Sequence, residues 1–237
     1  MSNKTVLTIE EVKAIINATT CLRDRALVYL LADTGIRCSE ALAIKLNDID
    51  YENNTIMIPH LKIGVKKTCC GCGRQAGGKQ AFCVKCGADI SDVKSEGEEK
   101  RTRIVNVGNV AMNNIQEYVK ARKGIKRYET DLLFPIKRVT VNDIVKQAAI
   151  KAGLSGKILT NPETGRKHFV SPHKFRDALA VDWLSSSFDD VTEADKQKAL
   201  QMHLGHKRYE TTARYQKLSE KSISNVSSKV RKNRLGD

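Results

Sequence analysis

No apolar run in the sequence approaches the roughly 20 residues that a membrane-spanning helix needs. The opening stretch, MSNKTVLTIEEV, has no signal-peptide core. We therefore expect a cytoplasmic protein with no membrane partner. Internal repeats and low-complexity tracts are also missing, which excludes a solenoid or a biased linker. Acid is in short supply: 27 Asp+Glu face 41 Lys+Arg, a net charge of +14, with basic residues spread along the chain. No strongly amphipathic basic helix stands out, so the expected polyanion partner is nucleic acid rather than a membrane surface. Hydrophobic content of 41% and a length of 237 residues allow a sizeable core, as one large domain or one domain with a small insert.

Cysteine is concentrated in one place. Five of the seven lie between residues 69 and 86, and without a secretory signal disulfides are not expected. CCGCG at 69–73 and CVKCG at 83–87 supply Cys69, Cys72, Cys83 and Cys86 as two Cys-x-x-Cys pairs, each followed by glycine. Such a knuckle aims two thiolates at one ion while the glycine permits the tight turn, so two knuckles make a tetrahedral, all-cysteine zinc site. Four thiolates leave no coordination position for water. The expected zinc is structural and does no chemistry, and it would stabilise a module too small to have much of a core. Cys70 is spare and is the alternative ligand, and Lys62, Lys66, Lys67, Arg74, Lys79 and Lys85 surround the site.

The rest of the chain reads as α+β and mostly α, with one small antiparallel sheet. Thr8 and Glu11 form a capping-box pattern ahead of Val12, Ile15 and Ile16. RDRALVYLLADTG predicts a buried helix stopped at Gly35, and SEALAIKL a third helix capped by Ser39. DIDYENNTIMIP predicts a hairpin around Asn53-Asn54, with TRIVNVG at 102–108 as the returning strand. Four helices follow, at NVAMNNIQEYVKAR, TVNDIVKQAAIKAG, HKFRDALAVDWLSS and TEADKQKALQMHL. GKILTNPETGRKHFVSP has turn chemistry, and SEKSISNVSSKVRKNRLGD reads as a polar, basic tail.

Three stretches outside the cysteine module combine into one chemistry. DTGIRCSEAL puts Arg37 in a turn between helices, and SPHKFRDAL puts His173 and Arg176 three apart on a helix's first turn. LGHKRYETTARY supplies His206 and Tyr215. On one uninterrupted helix those two would face opposite sides, about 13 Å apart along the axis. They share a site only if the chain turns, and Gly205 is where a helix is expected to end. Two arginines, two histidines and a tyrosine, with no carboxylate cluster for a metal, suit phosphodiester chemistry. The arginines hold the non-bridging oxygens, the histidines donate or move protons, and the tyrosine attacks phosphorus.

The ordered boxes TG-x-R-x-SE, His-x-x-Arg and Leu-Gly-His, with a tyrosine nine residues after the last histidine, resemble the tyrosine recombinase family, also called phage-type integrases. The likeness runs from LTIEEV to Tyr215. It implies that Tyr215 attacks a scissile DNA phosphate, forms a 3′-phosphotyrosyl link and releases a 5′-hydroxyl. Arg37 and Arg176 would hold the phosphate, His173 and His206 would assist, and Glu40 would support the site. No ATP and no catalytic metal would be required. Tyr209 is the rival tyrosine, but the family spacing favours Tyr215.

The resemblance also implies a lysine general acid in the β-hairpin turn. Aligning TRIVNV to that pattern puts Arg101 where the lysine belongs, and arginine is a poor proton donor. Lys100 is therefore the candidate, with Lys94, Lys66 and Lys67 as alternatives. We expect a catalytic domain over 1–220 with a zinc-ribbon insertion at 62–100, a basic tail at 221–237, and no N-terminal DNA-clamp domain. The implied partners are a double-stranded DNA attachment site, further copies of the chain in a tetrameric synapse, and DNA-bending helper proteins. A prokaryotic mobile element or a virus, archaeal by the zinc insert, is the expected source. The alternative functions are a type IB topoisomerase-like relaxing enzyme and a non-catalytic zinc-ribbon regulator.

Overall fold

A computed structural model describes residues 6–59, 66–77, 80–93, 102–155, 159–160, 165, 167–186, 192–205, 212–213 and 215. It divides into two compact units, one of residues 1–58 with 104–237 and one of residues 59–103. Among the described residues, no helix is long and apolar enough to cross a membrane.

The first unit is mostly helical. Helix α1 (Ile9–Asn17) opens on the expected capping box: the Glu11 N–H donates to Thr8 Oγ1, and the Thr8 N–H to the Glu11 carboxylate at 2.9 Å. Helix α2 (Leu22–Thr34) is the centre of the unit. Ala26, Leu27, Val28, Leu30 and Leu31 leave it almost no solvent face, and it packs against α1 and two later helices, α4 (Asn109–Ala121) and α6 (Pro172–Ser185). Helices α5 (Arg138–Lys151) and α7 (Glu193–Leu204) complete the bundle.

The hairpin over 49–59 forms as predicted. Strand β1 (Ile49–Asp50) pairs antiparallel with β2 (Thr55–Pro59), matching Ile49 to Ile56, and Asn54 takes the positive φ of 51° that the turn needs. The chain then passes through the second unit, which carries β3 (Lys66–Thr68) and β4 (Gln75–Gly77) as an antiparallel pair. It returns as β5 (Thr102–Asn106), giving the sheet order β1-β2-β5. Within the stretch read only as turns, β6 (Leu159–Thr160) and β7 (Lys167–His168) form a further antiparallel pair.

One expected element is shorter than the sequence predicts. Helix α3 is a single turn, Cys38–Ala41, and its cap is Arg37, not Ser39. The backbone that would continue it is taken elsewhere: Leu133 N–H donates to Ile44 O at 2.8 Å, and Leu46 N–H to Asp131 O at 2.7 Å. That extended pairing outcompetes the helix. A buried arginine is also structural here. Arg122 donates to the carbonyls of Tyr128, Thr130, Leu132 and Leu133 and lies against the Tyr118 and Tyr128 rings.

Gly35 ends α2 in the left-handed region, φ 59°, and a Cβ there would lie 2.8 Å from Leu179 Cδ2. Gly35→Ala is expected to lose about 1–3 kcal/mol by backbone strain and overpacking together. Gly124→Ala, at φ +78° with nothing within 4 Å of the added carbon, carries only the strain. Urea unfolding of both variants checks this, and the Gly35 variant should lose more.

Candidate active site

Arg176 is the least expected feature of the site, because a guanidinium that is only 1% exposed sits in the middle of it. Helix α6 begins at Ser171 and Pro172, where proline's missing N–H does no harm. One turn later Arg176 points inward. Its Nη1 donates to Gly35 O at 2.8 Å and its Nη2 to Leu204 O at 2.7 Å. Both acceptors are helix-end carbonyls, of α2 and α7, which have no partner within their own helices and carry the negative end of the helix dipole. His203 adds a second tie, its Nε2 lying 2.9 Å from Thr34 O. The ends of three sequence-distant segments therefore meet.

Arg37 lies two residues beyond Gly35. Its backbone N–H donates to Glu40 Oε2 at 2.9 Å and its Nη1 to Glu40 Oε1 at 3.0 Å. Glu40 is 2% exposed, while the Arg37 side chain keeps 28% of its surface open. A buried carboxylate thus fixes both ends of the arginine and leaves the guanidinium facing outward. Burial pushes the neighbouring Cys38 thiol above its usual value, with Arg138 opposing.

His173 and Arg176, although three apart, do not share an environment. The His173 side chain is 58% exposed and its Nε2 lies 3.7 Å from Asp177 Oδ1. Tyr215 is 1% exposed, and its ring packs in a cluster with Ala180, Val181, Leu184, Leu200 and Leu204. Its phenol donates to the same Asp177 Oδ1 at 3.0 Å, while Lys174 Nζ holds Oδ2 at 3.0 Å. Helix α7 ends at Gly205 with φ 67°, as its sequence predicts. His206, Tyr209, Lys94, Lys100 and Arg101 lie outside the described residues, and of Lys66 only the backbone, in β3, is described. The Lys67 ammonium donates to Ile90 O and Ser91 O, which commits it to the second unit's own fold. Sequence reasoning passed over Asp177 and His203. The only signal for Asp177 was an acid four residues after His173 on one helix.

In the second unit, the two cysteine knuckles are copies of one loop. Gly73 N–H donates to Cys69 O and Cys69 N–H to Arg74 O; Gly87 N–H donates to Cys83 O and Cys83 N–H to Ala88 O. Gly73 and Gly87 take φ values of 67° and 71°, a conformation costly for any residue with a Cβ. The sulfurs of Cys69, Cys72, Cys83 and Cys86 all lie within 4.8 Å of one another, with Sγ···Sγ distances of 3.5 Å for Cys69–Cys86 and 3.6 Å for Cys72–Cys83. These are far beyond a disulfide bond of about 2.05 Å and close to the ~3.8 Å edge of a tetrahedral shell of four sulfurs around zinc. The backbone N–H groups of Lys85 and Cys86 pull the Cys83 thiol down to about 6. Cys86 is held by the Ala88 N–H, yet the crowding sulfurs of Cys69 and Cys72 push it up to about 12. Four thiols so crowded fit a divalent cation. Cys70 is exposed and lies outside the cluster.

The profile described as the phage integrase family matches residues 5–70 and 81–222, and the chain belongs to that family. Among curated relatives, the tyrosine recombinase XerC of Chlamydia muridarum is 27% identical, over 98% of this chain and 59% of its own length. Tyrosine recombinase XerA of Pyrococcus horikoshii is 24% identical, over 95% of this chain and 61% of its own. The chain thus spans little more than half the length of the curated relatives it matches. The crystal structure of XerA recombinase superposes with a TM-score of 0.64 at 20% identity, covering 98% of this chain and 65% of that one. XerH site-specific recombinase bound to its palindromic difH substrate gives 0.61 at 18%, covering 96% and 53%. These likenesses define the fold: mostly helical with small antiparallel sheets, as tyrosine recombinase catalytic domains are.

Arg176→Ala would strip two buried carbonyls of their donors and leave a cavity, and should lose about 3–5 kcal/mol of stability. His173→Ala, at an exposed position, should stay within about 0.5 kcal/mol of the parent. Denaturant unfolding of the two variants checks both values.

Proposed function

We propose that the chain breaks and rejoins DNA strands as a site-specific tyrosine recombinase. The observation that carries this reading is the buried Arg176. Its two hydrogen bonds gather the turn before Arg37 and the end of α7, two residues before His206, around the helix that bears His173. Membership of the phage integrase family supports it.

In this reading the Tyr215 oxygen attacks the phosphorus of a scissile phosphodiester. A tyrosyl–phosphorus bond forms as the bond to the 5′-oxygen breaks, leaving a 3′-phosphotyrosine and a 5′-hydroxyl. Arg37 offsets the charge that grows on the non-bridging oxygens at close range, Arg176 adds its positive charge from the core while it stays bonded to Gly35 O and Leu204 O, and His173 and His206 share the phosphate and the phenol's proton. Lys100 is our candidate for protonating the leaving oxygen. Rejoining is the same exchange run backward with another strand's 5′-hydroxyl, so one ester replaces another and no ATP is consumed. Exchange between two duplexes breaks every strand of both, and one Tyr215 per chain then calls for a tetramer around the DNA. We assign residues 1–220 to the catalytic domain, 62–100 to a zinc-ribbon insertion held by Cys69, Cys72, Cys83 and Cys86, and 221–237 to a basic tail.

Nicked duplexes with randomised sequence around the nick test the reaction, because the nick lets the short fragment bearing the new 5′-hydroxyl escape and traps the adduct. Wild type and Tyr209→Phe should give a detergent-resistant adduct that maps to the peptide containing Tyr215, and Tyr215→Phe should give none. An adduct on Tyr209 would assign the wrong nucleophile.

For the insertion, metal analysis should find one zinc per chain, lost in Cys83→Ser. The first unit has its own apolar core, separate from the small cluster of Cys69, Ala76, Cys83 and Ile90. Helical circular dichroism should therefore survive chelation, and its loss at the same chelator concentration would make the metal integral to the whole fold.

A further inference from the structure

The nucleophile assigned to Tyr215 is sealed in, and the residue that seals it has no place in the chemistry described above. We infer that Asp177 is a positioning residue that holds Tyr215 in a docked, resting state, from which the phenol must be released before it meets a phosphate. The inference rests on the proposed role of Tyr215 as nucleophile.

Three observations support it. Tyr215 is 1% exposed with its ring among Ala180, Val181, Leu184, Leu200 and Leu204, so no DNA phosphate reaches the distance of about 3–3.5 Å that attack requires. Its hydroxyl is spent as a donor to Asp177 Oδ1 at 3.0 Å. Asp177 is itself 8% exposed and pinned through its second oxygen by Lys174 Nζ at 3.0 Å, so the acceptor does not follow the phenol outward.

The chemistry of the pair argues against Asp177 as the base that activates Tyr215. A phenolate 3.0 Å from a carboxylate is a like-charge contact, and a carboxylate there also repels the phosphodiester that the phenol has to approach. The bond stabilises the neutral, buried phenol instead. Asp177 follows Arg176 directly on α6, so the latch and the buried arginine share one helical turn. Release of the phenol is thereby tied to the same piece of backbone that organises the site.

The test uses Asp177→Asn, which keeps the shape with a weaker acceptor, and Asp177→Ala, which removes it. Without DNA, nitration of Tyr215 by tetranitromethane is read by peptide mass spectrometry, with the buried Tyr118, 3% exposed, as an internal monitor of folding. Loss of a buried hydrogen bond to a charged group should raise Tyr215 nitration on the order of tenfold, with Tyr118 unchanged. On the trapping duplexes, adduct formation per bound DNA should rise in both variants. If Tyr118 also becomes reactive in the alanine variant, the isosteric asparagine variant decides. Tyr215 nitration unchanged in both variants overturns the latch, whether or not DNA is cleaved. Adduct formation abolished in both variants, with Tyr118 still protected, also overturns it and makes the carboxylate part of the reaction. Raised nitration with no adduct from wild type or variants counts against the cleavage reading and leaves the docking contact standing.

Discussion

A single buried guanidinium holds the centre of this structure together. Helix C-termini expose carbonyls that cannot bond within their own helices, and α2 and α7 bring such carbonyls into the core at Gly35 and Leu204. Arg176 satisfies both, and in doing so it fixes where the chain leaves each helix. The polar group of an arginine is expensive to bury unless its donors are used. Here they join segments 141 and 28 residues away in sequence. Gly35 is part of the same arrangement, since a Cβ at its left-handed backbone would press on the Leu179 and Leu204 side chains, 2.8 and 3.2 Å away.

From that tie the rest of the site follows by short steps along the chain. Arg37 is two residues from Gly35 and is aimed by the buried Glu40, which binds its backbone and its side chain together. His173 is one turn before Arg176 and stands at the surface. Tyr215 is drawn in from the other side, between α6 and α7, and meets Asp177. The two arginines are held by different means: one by helix-end carbonyls in the core, the other by a carboxylate near the surface. A site built in this way has an open side, at Arg37 and His173, and a closed side, at Arg176 and Tyr215.

Much of this was legible in the sequence because local chemistry agreed with the fold. Thr8 and Glu11 marked the start of α1, Gly35 and Gly205 the ends of α2 and α7, and Asn53-Asn54 the hairpin. The paired knuckles were readable because their glycines are needed for the backbone as much as the cysteines are for the four-sulfur cluster. What was not legible depended on long-range pairing. The helix expected over 39–46 stops at Ala41 because residues 131–133 claim the backbone of 44–46. The short β6–β7 pair has too few residues for any alternation to register. Asp177 looked like an ordinary helix-surface acid, and nothing local reveals that Tyr215, far along the chain, docks on it.

In the proposed reaction, this arrangement serves to manage the negative charge on one phosphate. Replacing a non-bridging oxygen of the scissile phosphate with a methyl group removes that charge. Cleavage is then compared for wild type and Arg37→Ala, the arginine whose side chain is partly open to solvent. A large defect is expected for Arg37→Ala on the ordinary diester and a much smaller one on the methylphosphonate, because the group to be neutralised is gone. An equal defect on both substrates would overturn that role, and would make Arg37 a residue that holds structure or DNA rather than the charge of the reacting phosphate.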